Sequence, residues 1–126
     1  MRVFTVTWQA ICASCLLLAM NPSQAAPDAR SQQEILGLLR FVASSGCLFI
    51  RNGSEYPATE ARDHLQKKLD YLEKKGLVDS SEDFIARAAT ESSMSGKPYK
   101  VRCNGQEQLS AEWLKAELAR LRSARP

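Results

Sequence analysis

The stretch that decides the fold is Cys47-Leu-Phe-Ile-Arg-Asn-Gly53, which has a close echo in Pro98-Tyr-Lys-Val-Arg-Cys-Asn-Gly105. Each stretch has a short β-prone run followed by Asn-Gly, the dipeptide that best tolerates the positive φ angles of a tight turn. Each therefore predicts a strand that ends in a reversal of the chain.

Helical patterns flank both strands. Ser31-Gln-Gln-Glu34 matches a capping box for a first helix that Ser45-Gly46 ends. A second helix is predicted from Pro57–Thr59 to Lys75, and a short third one opens at Ser80. A fourth starts near Ser110. The apolar spacing predicts this core: Ile35, Leu39, Val42, Phe49, Leu65, Leu69, Phe84, Ile85, Val101, Leu114 and Leu118.

The predicted fold class is α+β, with four helices around a short two-stranded antiparallel sheet. The order of caps, glycine stops, strands and Asn-Gly turns recurs after about fifty residues, a spacing typical of internal repeats. Two helix-strand-helix halves packed as a pseudo-symmetric pair are one interpretation. The other interpretation is that caps, glycine stops and Asn-Gly turns are common local signals that recur here without a duplication.

The first 25 residues match a cleavable secretory signal. A basic start at Arg2 precedes a mostly apolar run of about ten residues, and Ser23-Gln-Ala25 fits a cleavage site. The run is too short for a membrane span, which needs roughly twenty residues. We expect a mature protein that begins at Ala26, has no membrane span and forms one small domain over residues 26–126. We expect this mature protein to be exported.

Cleavage would leave Cys47 and Cys103 in an oxidising compartment, where one disulfide bond is the expected state. The bridge also predicts strand direction, because antiparallel pairing of Phe49 with Val101 places the two cysteines opposite each other. A parallel pairing would separate them by roughly 13 Å along the strand. Cys12 and Cys15 match C-x-x-C within the signal only, which disfavours a thiol-disulfide enzyme.

The charge balance argues against a dedicated nucleic-acid binder. The chain has 17 Lys and Arg against 14 Asp and Glu, a net charge of +3, and the basic residues are interleaved with acidic ones. A nucleic-acid-binding domain would have a clustered basic excess.

Four blocks of sequence resemble the YfeK-like proteins of Gram-negative bacteria, which are small exported proteins with a domain of unknown function. The blocks are Arg51-Asn-Gly-x-Glu55, His64-Leu-x-x-Lys-Leu69, Glu82-x-Phe-Ile85 and Ser92-Ser-x-Ser-Gly-Lys-x-Tyr99. The resemblance covers most of the mature chain. It implies a periplasmic location and no particular activity.

Two groups of residues are candidates for a site. Ser93 and Ser95 lie in a Ser/Gly/Lys segment that could bind an anion, although it matches neither a P-loop nor an S-x-x-K nucleophile. The alternative is that this segment is a serine-rich stretch after a helix, in which the hydroxyls form hydrogen bonds to backbone groups. His64 lies at the boundary of the second helix's apolar stripe, where it could act as a base or hold a structural hydrogen bond.

The remaining candidates lie near the strand ends: Arg51, Glu55, Lys97 and Tyr99. They could bind a carboxylate or phosphate through hydrogen bonds. Alternatively, they could form an ordinary salt bridge against which the tyrosine ring packs. One histidine and two oxidised cysteines are too few for a zinc site, and no cofactor is indicated.

We therefore expect a non-catalytic binding or envelope-associated accessory module, with a periplasmic protein or a small anionic ligand as partner. A small hydrolase or transferase that uses His64 with Ser93 or Ser95 is the alternative.

Overall fold

The structure is a computed structural model that describes residue 3, residue 5 and residues 27–125. The predicted cleavage point after Ala25 and the pair Cys12 and Cys15 lie outside the described residues.

Residues 27–125 fold into four helices and four short strands, in the order helix, hairpin, helix, helix, hairpin, helix. Their bounds are α1 Ala29–Ser44, β1 Leu48–Arg51, β2 Ser54–Pro57, α2 Ala58–Lys74, α3 Ser81–Ala88, β3 Lys100–Cys103, β4 Gln106–Leu109 and α4 Ser110–Ser123. The α+β class is confirmed. No helix among the described residues combines the length and apolarity that a membrane span requires.

The sheet has four antiparallel strands in the order β2-β1-β3-β4, so the expectation of a two-stranded sheet is wrong. The two missed strands, Ser-Glu-Tyr-Pro57 and Gln-Glu-Gln-Leu109, are mostly exposed edge strands. Polar residues and an edge proline suit such strands, because only one side of the backbone needs hydrogen bonds. The same residues lack the alternating apolar pattern by which a strand is recognised from sequence.

Both Asn-Gly pairs form the predicted tight turns. Asn52 and Gly53 have φ angles of 51° and 78°, and Asn104 and Gly105 have 52° and 76°. Positive φ at both central residues is the geometry whose twist matches that of two paired strands. Each turn therefore continues directly into an edge strand and closes a hairpin.

The central strands pair as predicted. β1 and β3 are antiparallel, with Phe49 opposite Val101. One step beyond the ladder, Cys47 and Cys103 form a disulfide bond with their Cα atoms 4.7 Å apart. The predicted strand direction and the predicted bridge are both confirmed.

The two halves of the chain repeat one order of elements: helix, hairpin, helix. Every element of the first half begins 52 residues before its counterpart in the second half, from α1 and α3 to α2 and α4. Phe49 pairs with Val101, which is its own counterpart at that offset. A pseudo-twofold axis therefore passes between these two residues and relates one hairpin to the other.

The helices cover one face of the sheet and enclose the core. All eleven predicted core residues are buried, and Leu38 and Val78 join them with no exposed surface. Leu36 of α1 faces away from this core and is 48% exposed.

The predicted capping box of the first helix is wrong. Asp28 caps α1, and its side chain accepts a hydrogen bond of 2.8 Å from the Ser31 amide. Glu34 points into the protein instead, where Ser81 Oγ donates to it over 2.8 Å. Arg122 and Arg125, near the end of α4, donate to the same carboxylate. Two guanidinium groups near a buried acid outweigh the contact that an exposed cap would make.

Candidate functional site

A cleft opens between α2 and one end of the β1–β3 pair. Its volume is about 340 Å³. The apolar part of its lining includes Phe49, Ala61 and Leu65, and the cationic part includes Arg51 and Lys67. Clefts at the small end of the range for ligand sites commonly combine an apolar lining with a few polar groups.

Arg51 is the cation that distinguishes this cleft. Three arginines of the described residues are half-buried, and two of them, Arg102 and Arg125, form ion pairs with glutamates. Arg51 forms no ion pair within the described range. Its guanidinium instead lies 4.6 Å from the centre of the Tyr56 ring and contacts His64. A half-buried cation held by aromatic groups keeps its charge available to an anion.

The contacts of His64 favour one position for its proton. Arg51 Nη1 lies 2.6 Å from Nδ1 and 3.0 Å from Nε2, and Nε2 also lies 3.1 Å from Tyr99 Oη. Because a guanidinium can only donate, we assign its shorter contact, Nδ1, as the acceptor, so that Nε2–H donates to the tyrosine. This assignment follows from the hydrogen-bond partners.

The surroundings hold His64 in its neutral form. Burial lowers the pKa of the imidazole most, and the positive charges of Arg51, Lys68 and Lys67 lower it further, from 6.5 to about 4. The ring is therefore neutral at pH 7. It acts here as a hydrogen-bonding strut between Arg51 and Tyr99 rather than as a source of charge.

Lys68 completes the cluster from one helical turn beyond His64. Its Nζ donates to Tyr99 Oη over 3.2 Å and to the Glu91 carbonyl over 3.1 Å. Burial and then the nearby Arg51 lower the pKa of Lys68, while burial raises the pKa of Tyr99. We call Arg51, His64, Lys68 and Tyr99 the basic cluster.

The cleft exists because the two halves of the fold differ. In the second half Trp113 fills the space beside the sheet, with its ring centre 4.3 Å from that of Phe41 and 5.5 Å from that of Phe49. The counterpart of Trp113, 52 residues earlier, is Ala61. The counterpart of α1 is α3, which has 8 residues instead of 16 and stops before the position equivalent to Phe41. A tryptophan and about two helical turns are thus missing on the cleft side.

Residues 92–97, which we call the serine segment, pack against the Asn52-Gly53 turn of the first hairpin. Ser92 is buried, and its Oγ accepts hydrogen bonds from the Met94 and Ser95 amides and from Asn52 Nδ2. Ser95 Oγ donates to Asn52 Oδ1 over 2.5 Å. These hydroxyls satisfy backbone and turn groups, as in a serine-rich helix exit.

The structure brings some of the predicted site residues together and leaves others apart. Arg51, His64 and Tyr99 share the cleft, whereas the exposed Ser93 and Lys97 lie in the serine segment. Glu55 lies on the opposite face of the sheet, where Arg102 donates to it over 2.5 Å.

The hydrolase alternative gains no support from these positions. Among the hydrogen bonds of residues 27–125, none joins His64 to Ser93 or Ser95. A general base needs its nucleophile within about 3 Å. Nor does any group of three or more acidic, histidine or cysteine side chains in that range have a geometry suited to a metal ion.

Sequence reasoning missed Tyr56 and Glu60, which line the cleft, and Lys68, which contacts Tyr99 in the basic cluster. Lys68 and Glu60 lie one helical turn after and before His64, so helical spacing alone could have added them. Tyr56 pairs with Phe49 across the first hairpin. Recognising β2 as a strand would have placed Tyr56 beside Arg51.

Comparison with known proteins identifies the family. Residues 29–122 match the model described as "Family of unknown function (DUF5329)". A protein of Salmonella typhimurium named "Uncharacterized protein YfeK" is 36% identical over 90 residues, which are 71% of this chain and 73% of that protein. No solved structure matches the chain significantly. The chain therefore belongs to this YfeK-like family of unknown function, as the resemblance of its four sequence blocks predicts.

Proposed function

We propose that the protein is a non-catalytic binding module of the periplasm whose cleft takes a small organic anion. The observation that carries this proposal is Arg51, a half-buried cation that opens onto an apolar cleft and has no acidic partner among the described residues. A carboxylate or phosphate would supply the missing negative charge and could accept two parallel hydrogen bonds.

The remaining contacts of Arg51 are compatible with a ligand. A guanidinium has five N–H donors, and the contact with His64 uses one nitrogen of the fork. Tyr56 and His64 restrict the side chain, so little conformational entropy is lost when it binds an anion. Phe49, Ala61 and Leu65 provide apolar surface for the body of the ligand.

The periplasmic location is part of the proposal. The signal-like first 25 residues support it, and so does the disulfide bond between Cys47 and Cys103, which is typical of exported proteins. Expression of the full chain in a Gram-negative host, followed by fractionation and intact-mass measurement, tests it. We expect a periplasmic product that begins at Ala26. A cytoplasmic product, or one that retains Met1–Ala25, would contradict it.

Binding is tested with 3-phenylpropionate, which joins a carboxylate to an apolar ring. We expect its titration to shift backbone amide NMR signals of Arg51, Ala61 and Tyr99. The uncharged analogue 3-phenylpropan-1-ol should bind at least about tenfold more weakly, because it lacks the charge-assisted pair worth about 1.4 kcal/mol or more.

The matched variants are Arg51→Met and Arg102→Met. Both remove a half-buried arginine, but Arg102 lies on the opposite sheet face and already pairs with Glu55. We expect Arg51→Met to abolish the preference for the acid over the alcohol and Arg102→Met to preserve it. Failure of the acid to bind, or equal binding to both variants, would overturn the proposed function.

A further inference from the structure

We infer that the ligand of the cleft is a zwitterion, an amino-acid-like molecule whose carboxylate meets Arg51 and whose amine meets Glu60. This inference rests on the proposed function and names the class of ligand within it. It follows from the distribution of charge around the cleft, which carries acidic groups as well as basic ones.

The acidic groups come from the first turns of α2. Glu60 and Asp63 both line the cleft, and so does Lys67 farther along the same helix. Positions three and seven residues apart lie on one helical face, so this face presents two acids and then a cation. The strand side of the cleft contributes Arg51 and Tyr99.

Glu60 is the acid that remains available to a ligand. Asp63 is bound by the neighbouring Arg62 over 3.1 Å. Lys67, one turn after Asp63, adds further positive charge beside it. Glu60 takes part in no ion pair among residues 27–125.

Tyr56 lies beside Arg51 in the cleft that Glu60 also lines. The Arg51 guanidinium lies 4.6 Å from the centre of the Tyr56 ring, and all three residues belong to the lining. The cation and the carboxylate therefore share one cleft of about 340 Å³. That arrangement suits a ligand with two opposite charges close together.

Glu60 also argues against a ligand with negative charge alone. Such a ligand would be attracted by Arg51 and repelled by Glu60 in the same small cleft. An amine beside the carboxylate changes the repulsion into an attraction. The apolar lining of Phe49, Ala61 and Leu65 then favours an apolar side chain on the zwitterion.

The test compares three probes with one ring and different charges: L-phenylalanine, 3-phenylpropionate and 2-phenylethylamine. Affinities for the purified, oxidised protein are measured by NMR titration at pH 7. We expect L-phenylalanine to bind about fivefold more tightly than 3-phenylpropionate, the gain of one solvent-exposed ion pair. The amine alone should bind most weakly, because Arg51 and the nearby lysines repel it.

Glu60→Gln should remove the advantage of L-phenylalanine and leave 3-phenylpropionate bound at least as tightly as before. Glu112→Gln is the matched control, since Glu112 occupies the counterpart position in the first turn of α4 and does not line the cleft. It should change neither affinity.

The outcomes separate the inference from the proposed function. Equal binding of L-phenylalanine and 3-phenylpropionate, with both lost in Arg51→Met, would overturn the zwitterion and leave anion binding in place. If neither probe binds, the proposed function fails as well. Tightest binding of 2-phenylethylamine would overturn both.

Discussion

At the scale of single residues, the positions of charges decide what the cleft can do. His64 is the chain's one histidine, and its neutral ring connects Arg51 to Tyr99 without competing for an anion. Its position at the edge of the apolar stripe is predictable from helical spacing. Its protonation state is not, because that depends first on burial in the folded protein and then on Arg51, which comes from a different element.

The neutral state of His64 predicts a loss of stability in acid. Its pKa is about 4 in the folded protein, against 6.5 as the ordinary value. Between these values the unfolded chain binds a proton that the folded protein does not, so the free energy of unfolding falls as pH drops through this window. Urea unfolding at several pH values measures this decrease, and a histidine NMR titration locates the pKa.

The control is His64→Gln, which keeps a polar side chain and has no proton to gain. Its unfolding free energy should decrease less than that of the wild type between pH 6.5 and pH 4. The same dependence in both proteins, or a His64 signal that titrates near pH 6.5, would contradict the neutral strut.

The buried carboxylate of Glu34 gives a second prediction. Arg122 and Ser81 lower its pKa to about 2, and Arg125 contributes to the shift. We expect Glu34→Gln to lower the free energy of unfolding by about 2 kcal/mol at pH 7, because charge-assisted bonds between α1, α3 and α4 are lost. The difference should shrink as pH falls from about 4.5 toward 2 and the wild-type carboxylate becomes protonated.

Glu117→Gln is the comparison for Glu34→Gln. Both carboxylates have 6% exposure, but Glu117 is bound by Arg120 of its own helix. A pair within one helix joins no separate elements, so the loss should be below about 1 kcal/mol. Equal losses in the two variants, measured by urea unfolding, would show that Glu34 does not tie the helices together.

At the scale of elements, the two hairpins have the same turn but different surroundings. Asn52 and Asn104 both have positive φ. Only Asn52, of the two, exchanges side-chain hydrogen bonds with Ser92 and Ser95. The first turn therefore also fixes the serine segment that follows α3, close to the basic cluster.

The two asparagines allow a matched test of that role. Asn52→Ala and Asn104→Ala should share the strain of an alanine at positive φ. Asn52→Ala also loses two side-chain hydrogen bonds, so we expect it to destabilise the fold by about 1 kcal/mol more. Thermal and urea unfolding of both variants measure the difference. A larger loss in Asn104→Ala would contradict the docking of the serine segment on the first turn.

At the scale of the whole molecule, the disulfide bond and the cleft occupy related positions. Both lie on the helix-covered face of the central strand pair, two residues from the Phe49–Val101 pair, in opposite directions. At the offset of 52 residues, Arg51 corresponds to Cys103 and Tyr99 to Cys47. The disulfide bond joins the two strands at one end of the β1–β3 pair, and the basic cluster lies at the other end.

Reduction of this bond should lower the melting temperature. The cysteines are 56 residues apart in sequence, and closing such a loop stabilises a fold by about 4 kcal/mol in the chain-entropy model. Calorimetry with and without reductant measures the change, with Cys47→Ser/Cys103→Ser as the control that reductant should not affect. Peptide mass spectrometry after alkylation of the non-reduced protein should find both cysteines unmodified. Two alkylated cysteines would refute the bridge.

Local patterns explain which parts of this fold were predictable. The Asn-Gly turns, the Ser80 cap and the helical stripes each depend on residues close in sequence. The β1–β3 register was also predictable, because one long-range constraint, the pair Cys47 and Cys103, accompanied the alternation of side chains. The edge strands were missed, because exposed polar strands have no apolar pattern.

The sequence by itself determined the helices, the turns, the core residues and the family to which this protein belongs, since all of these depend on residue type and spacing. Only the tertiary structure decided the role of Glu34 and the composition of the cleft. Arginines 88 and 91 residues away reach Glu34, and the basic cluster joins side chains up to 48 residues apart, from Arg51 to Tyr99. Such contacts arise when the two halves pack together, and no local pattern of residues specifies them.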